Sequence, residues 1–209
     1  MTLVSESATT NSSSALVAEF AQSGGVSVDF MIGIGLVKDS DAVFFQYQGD
    51  QQKQALVQSN GKPVTRIAPV KLTGVAVEDN PYEGFESSGK LNIFLQTQQG
   101  KNIMLTSGLT TMWSQCMLIS LVGLQQSNSL DSLISIDTWK GNSKYGTCFA
   151  AIRNNGAKVT NDEMYNAFAK ARAERNSALK QQIARDAVGL LRGALEVETV
   201  VVDEPKADF

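Results

Sequence analysis

The stretch from Leu109 to Gln125 constrains this chain more than any other. It is too long for a strand and apolar on nearly every face, so it predicts a helix buried all round. Such a helix must be enclosed, and the flanking sequence offers the material. Short runs of β-branched and aromatic residues, separated by turn chemistry, read as strands at 26–37, 41–48, 64–78, 90–98 and 101–106, and again at 132–139 and 147–153 after the helix. The clearest pair is the hairpin of 90–98 with 101–106. Leu91, Ile93 and Leu95 alternate with polar neighbours up to Gln99-Gly100, and Ile103 and Leu105 resume the alternation beyond it. The connections 49–63 and 79–89 read as surface loops.

Thr160-Asn-Asp-Glu163 has the form of a capping box, which predicts one long helix over 162–192 running on toward Glu196. Met164, Phe168, Leu179, Ile183, Ala187, Leu190 and Leu191 keep spacings of three and four except across an Ala/Arg-rich gap between Phe168 and Leu179. That gap reads as a middle open to solvent or covered by a partner. Residues 5–14, SESATTNSSS, are polar and of low complexity, which suggests a flexible arm over 1–25. The expected organisation is that arm, a β-rich domain over 26–159, a C-terminal helix over 160–196 and a tail over 197–209. The expected class is α+β, mainly β.

Composition narrows the chemistry. The 209 residues contain no histidine, which removes His-dependent triads and H-E-x-x-H zinc sites. With only Cys116 and Cys148, both in apolar runs, a four-cysteine zinc site is impossible and a reducing, cytoplasmic setting is expected. No run reaches the ~18 apolar residues of a membrane span, and no basic segment precedes an apolar core at the N-terminus. Gly33-Ile-Gly35 lacks the third small residue and the following helix of a dinucleotide loop, so it reads as a bend in a sheet. Gly61-Lys62-Pro63 and Gly89-Lys90-Leu91 lack the rest of a P-loop. Glu78-Asp79 could hold Mg²⁺ or be two solvated charges. Neither catalysis nor a cofactor is expected.

The formal charge of −3 is unevenly spread. Residues 196–209 carry Glu196, Glu198, Asp203, Glu204 and Asp208 against Lys206, a balance of −4 that leaves the rest of the chain near neutral with an acidic tip. Strands, then a helix, then a closing pair of strands is the order of an OB-fold Greek-key barrel, whose face and loops bind single strands. In that order the last barrel loop is Lys140-Gly-Asn-Ser-Lys144-Tyr145-Gly146, introduced by Trp139 and followed by Arg153. Flat rings beside cations suit single-strand binding, since every base has a face to stack and every nucleotide a phosphate. Phe45 and Tyr47 share one strand face and Phe44 takes the other. Arg66, Lys71, Lys90 and Lys101 sit on or beside strands, where they could line a groove. The plainer alternative is that these aromatics are core and the cations are ordinary surface residues.

The chain ends Val202-Asp203-Glu204-Pro205-Lys206-Ala207-Asp208-Phe209. This ending resembles that of bacterial and phage single-stranded DNA-binding proteins, which finish in an acidic peptide with a terminal phenylalanine. The resemblance implies a protein that coats single-stranded DNA, with Phe209 as an apolar anchor in a pocket of replication or repair proteins. Asp208 would meet basic residues at the rim, and Asp203 and Glu204 would steer the approach. This chain departs from the pattern in its short tail, in Lys206, and in lacking a long Gly/Gln/Pro linker. A non-enzymatic assembly or scaffold protein is the alternative, and homo-oligomerisation stays open in either case.

Overall fold

The computed structural model describes residues 28–48, 52–79, 89–142 and 146–198. Among them, one sheet is built from β1 (Phe30–Ile34), β2 (Phe44–Gln48), β3 (Gln52–Ala55), β4 (Arg66–Glu78), β5 (Lys90–Thr97), β6 (Asn102–Gly108), β7 (Ile134–Lys140), β8 (Cys148–Asn154) and β9 (Ala157–Lys158). The helices are α1 (Met112–Gln126), α2 (Asp162–Ala173) and α3 (Ser177–Glu198). The mixed, mainly β class is as expected.

The centre of the sheet follows the side-chain alternation. Leu91, Ile93 and Leu95 of β5 stand opposite Ser107, Leu105 and Ile103 of β6, and the turn between them places Gly100 at φ +76. On the other side of β5, Leu72 faces Leu95, whereas Val75 faces Ile93 and Val77 faces Leu91. The apolar parity of β4 switches from even to odd because a bulge lies between Leu72 and Gly74. Both halves of this long strand can thereby face the core.

The sheet is open, with order β3-β2-β1-β6-β5-β4-β7-β8-β9, and its one parallel pair is β1 with β6. A closed Greek-key barrel is not what these ladders make, because strand order along the chain does not by itself decide which strands pair. The sheet is nevertheless strongly curled. In a flat sheet the five steps from β2 to β7 would span ~24 Å at ~4.8 Å each. Instead Lys140 Nζ at the end of β7 lies 3.4 Å from Oδ1 of Asp41, just before β2. The segment between β3 and β4 follows the curl: Leu56 N donates to Phe44 O, Val64 N to Leu56 O, and Thr138 N to Thr65 O. Part of the expected loop over 49–63 is therefore the strand β3 and a bridge between Val57 and Pro63.

Helix α1 is buried among the sheet, α2 and α3, which is why it has no polar face to spare. Trp113, Met117, Leu118, Leu121 and Leu124 are inaccessible to solvent. Its polar side chains are bonded where they stand. Thr111 caps it by accepting from Ser114 N, Trp113 Nε1 donates to Thr138 Oγ1 at 3.3 Å, and Ser120 Oγ donates to Val159 O at 2.9 Å. Arg172 Nη1 of α2 donates to Gln115 Oε1 at 2.6 Å.

The single helix expected over 162–192 is two helices. Arg175 has φ +50, and Asn176 starts α3 by accepting from Leu179 N at 2.9 Å. The break falls in the Ala/Arg-rich gap between Phe168 and Leu179, where the apolar spacing lapses while alanine and arginine still favour helix. The cap of α2 is Asn161 rather than Thr160, with its Oδ1 accepting from Met164 N at 2.7 Å. Phe168, Ala184, Ala187, Val188 and Leu191 belong to the same core as α1 and the sheet.

Candidate functional site

Since antiparallel and parallel partners share a side, the registers divide the sheet into a helix-covered face and an outer face. Leu91, Ile93, Leu105, Ile136 and Ile152 mark the first, joined by Phe44. Arg66, Asp137, Ala151, Trp139 and Phe149 mark the second, together with Ser135 and Arg153, Lys158 across from Arg153, and Lys71 across from Gln96. Four of the sequence candidates, Arg66, Lys71, Trp139 and Arg153, thus come together on the outer side of β4, β7 and β8.

Their arrangement is specific. Asp137 lies on the middle strand and takes a guanidinium from each neighbour. Arg66 Nε and Nη2 donate to its two oxygens at 2.5 and 3.1 Å, and Arg153 Nε donates to Oδ2 at 2.8 Å. Arg153 Nη1 also donates to Gly156 O at 3.2 Å. The Arg66 hydrogen bond is the largest cause holding the Asp137 carboxyl below its ordinary pKa, with burial opposing and Arg153 adding to the lowering. Asp137 raises the pKa of Arg66 in turn. Three ionised groups leave a local charge of one positive unit. Each guanidinium carries five N–H donors and uses two here, so three per side chain remain beyond these bonds.

Two residues along β7, on the same side, stands Trp139, still 44% exposed. Phe149 lies directly across the ladder, and the rings stack with centroids 6.0 Å apart and planes 16° from parallel. Gly141 makes room, since a Cβ there would fall 2.5 Å from Phe149 Cε2. A large aromatic kept in water and held flat by a neighbouring ring is a surface on which another flat group can stack.

The other candidates are placed differently. Phe45 is buried on the outer side: its ring lies across Gly33, where a Cβ would come within 2.4 Å, and Lys53 Nζ sits 4.6 Å from the ring centre. That contact is why glycine stands at position 33 inside a strand. Tyr47 meets Phe45 edge-on at 5.1 Å and is 52% exposed, but on the β2 flank rather than beside Trp139. Lys90 faces Glu78 across the ladder, and Lys101 Nζ is 3.5 Å from Asp29 Oδ1. Lys140, next to Trp139 in the chain, has the opposite parity and pairs with Asp41. The loop 141–147 does join β7 to β8, closed by Gly141 N donating to Thr147 O at 2.7 Å. Lys144, Tyr145, Asp203, Glu204, Asp208 and Phe209 lie outside the described residues. Glu78 accepts from Asn92 Nδ2 at 3.2 Å while Asp79 pairs with Arg185, so the two carboxylates are engaged by different partners.

Asp137, Phe149 and Lys158 were not among the sequence candidates, although parity gives a signal for two of them. Asp137 is two residues before Trp139, and Phe149 four before Arg153, each on the face of its neighbour. No helix among the described residues is long and apolar enough to cross a membrane.

No family model, curated protein or solved structure matches this chain. The functional reading therefore rests on the site's own chemistry.

Proposed function

We propose that the protein binds single-stranded DNA across the outer side of β4, β7 and β8, and that its acidic tail recruits replication or repair proteins. The observation that carries this is Trp139: exposed, backed by Phe149, and one step along β7 from a carboxylate shared by two arginines. A ring and a cationic pair at that spacing match the two repeating parts of a single strand, its bases and its phosphates. The curled sheet, with a helix between its early and late strands, has the element order of an OB-like barrel. We include that likeness in the proposal, with the sheet left open.

The test is a fluorescence-anisotropy titration with a labelled mixed-sequence oligonucleotide at several salt concentrations. Binding should weaken linearly in log salt as phosphate contacts release counterions. Trp139→Ala should lose ~1–3 kcal/mol of binding if a base stacks there. A protein that does not bind at low salt, or a Trp139→Ala variant equal to the parent, overturns the reading. Tyr165 and Leu190, both about half exposed on α2 and α3, favour an assembly role as the second reading. That role would show as a defined particle or filament without nucleic acid.

A further inference from the structure

Asp137 is an acid set among the cations Arg66, Lys71, Arg153 and Lys158 of the outer face described above. An acid in a patch meant for an anionic strand is at first sight unfavourable, because its charge repels the ligand. Its geometry gives it another use. It sits on the strand between the two arginines and bonds both, so it converts two long, mobile side chains from β4 and β8 into one fixed pair. Gly156 O adds a second anchor to Arg153. Arginine side chains lose much rotamer freedom when ordered, and here that loss is already taken before any ligand arrives.

We propose that Arg66 and Arg153 form a clamp for one phosphodiester group, and that Asp137 is the positioning residue that holds it; this rests on the single-strand reading above. The ligand chemistry follows from the neighbours. Guanidinium N–H groups beyond those given to Asp137 and Gly156 suit bidentate recognition of a tetrahedral or planar oxyanion. A protein carboxylate would fit the arginines equally, but it would leave Trp139 without a role. Two residues of strand separate Asp137 from Trp139, ~6.8 Å, so an oxyanion at the clamp and a flat group on the ring belong to one short stretch of the same molecule. A nucleotide strand has both. Lys158, across from Arg153 on β9, adds a further cation on the same side.

The experiment uses the full chain, the same labelled oligonucleotide and a salt series, with thermal melting of each variant as a control. Asp137→Asn adds one unit of positive charge at nearly constant size. Electrostatics alone would then strengthen binding, whereas loss of the clamp weakens it. The expected result is several-fold weaker binding with a salt slope shallower by roughly 0.7 for each phosphate that is no longer held. The double variant Arg66→Lys with Arg153→Lys keeps charge and loses the planar fork. It should also bind less tightly while keeping most of the slope, and it tests the clamp independently should Asp137→Asn fold poorly. If Asp137→Asn binds more tightly and Arg66→Ala with Arg153→Ala binds less, the arginines act as free cations and the positioning role is wrong, while the single-strand reading stands. If the double alanine variant and Trp139→Ala both bind like the parent, the clamp and the single-strand reading fall together.

Discussion

Gly123 offers a test in which two effects of known sign oppose each other. It lies within α1, where alanine is intrinsically better than glycine by ~0.8–1.0 kcal/mol. A Cβ there would lie 2.5 Å from Thr160 O and 3.0 Å from both Thr160 C and Val159 Cγ1, well inside the ~3.5–4.0 Å of a comfortable contact. The obstruction is backbone, and it is pinned. Val159 N donates to Ile152 O, Ser120 Oγ donates to Val159 O, and Asn161 bonds Gln126 and caps α2. Forcing the helix away from this segment costs about 1–3 kcal/mol as overpacking, and stretching the Ser120 bond adds about 1 kcal/mol. Gly123→Ala should therefore be destabilising by about 1–3 kcal/mol net. Gly189 and Gly193 in α3 have nothing within 4 Å of their would-be Cβ atoms. There only the propensity term acts, and alanine should stabilise by up to ~1 kcal/mol. Urea unfolding followed by circular dichroism gives all three values, provided the slope with denaturant is unchanged. A Gly123→Ala protein as stable as its parent would refute the close approach of α1 to the 159–160 segment.

Two further outcomes are expected. The depressed Asp137 carboxyl contributes stability that is present above the ordinary carboxylate value of 3.8 and is lost as pH falls through its lower folded-state value. The melting difference between parent and Asp137→Asn should accordingly be largest near neutrality and vanish in strong acid, and a difference that persists there would mean the pairing is not its source. Deleting residues 203–209 removes Asp203, Glu204 and Asp208 with Lys206, a side-chain change of +2. Oligonucleotide affinity should rise modestly at low salt and the gain should fade at higher salt, while Phe209→Ala should abolish capture of a replication or repair protein and leave oligonucleotide affinity unaltered. Parent-like behaviour of both proteins in anisotropy and pull-down would leave the tail without a function.

The sequence was most legible where burial and periodicity agree. Leu91, Ile93 and Leu95 with Ile103 and Leu105 announced the β5–β6 hairpin, and the apolar run after Gly108 announced α1, because both are decided by which side chains avoid water. β3 is Gln52–Ala55, with three of its four residues exposed, so it carries no alternation to read. The break at Arg175 and Asn176 was hidden for the converse reason: its surroundings favour helix, and it is one left-handed residue and one cap that end it. At the site, Trp139 and Arg153 were singled out by residue type and by flanking the expected last loop, and Arg66 as a cation on or beside a strand. Their shared face required the register between β4 and β7, which shifts between Ile67 and Val70 and is not visible in spacing. Lys140 could have been set aside from the sequence, since adjacent strand residues point to opposite sides.

The parallel pairing of β1 with β6 also has a consequence for how the chain is made. Phe30 meets Ile103, and Asp29 accepts from the backbone of Asn102, a partner 73 positions later. Translation at ~5–20 residues per second leaves β1 waiting roughly 4–15 s for that partner to be synthesised. The β4, β5 and β6 strands are joined in sequence and pair with near neighbours, so they can assemble first and present a ready edge. Until that edge exists, the core-facing Ile32 of β1 and Phe44 of β2 lack the sheet and helix that later bury them. The first third of this protein is thus the part with the longest exposure to chaperones and to other nascent chains.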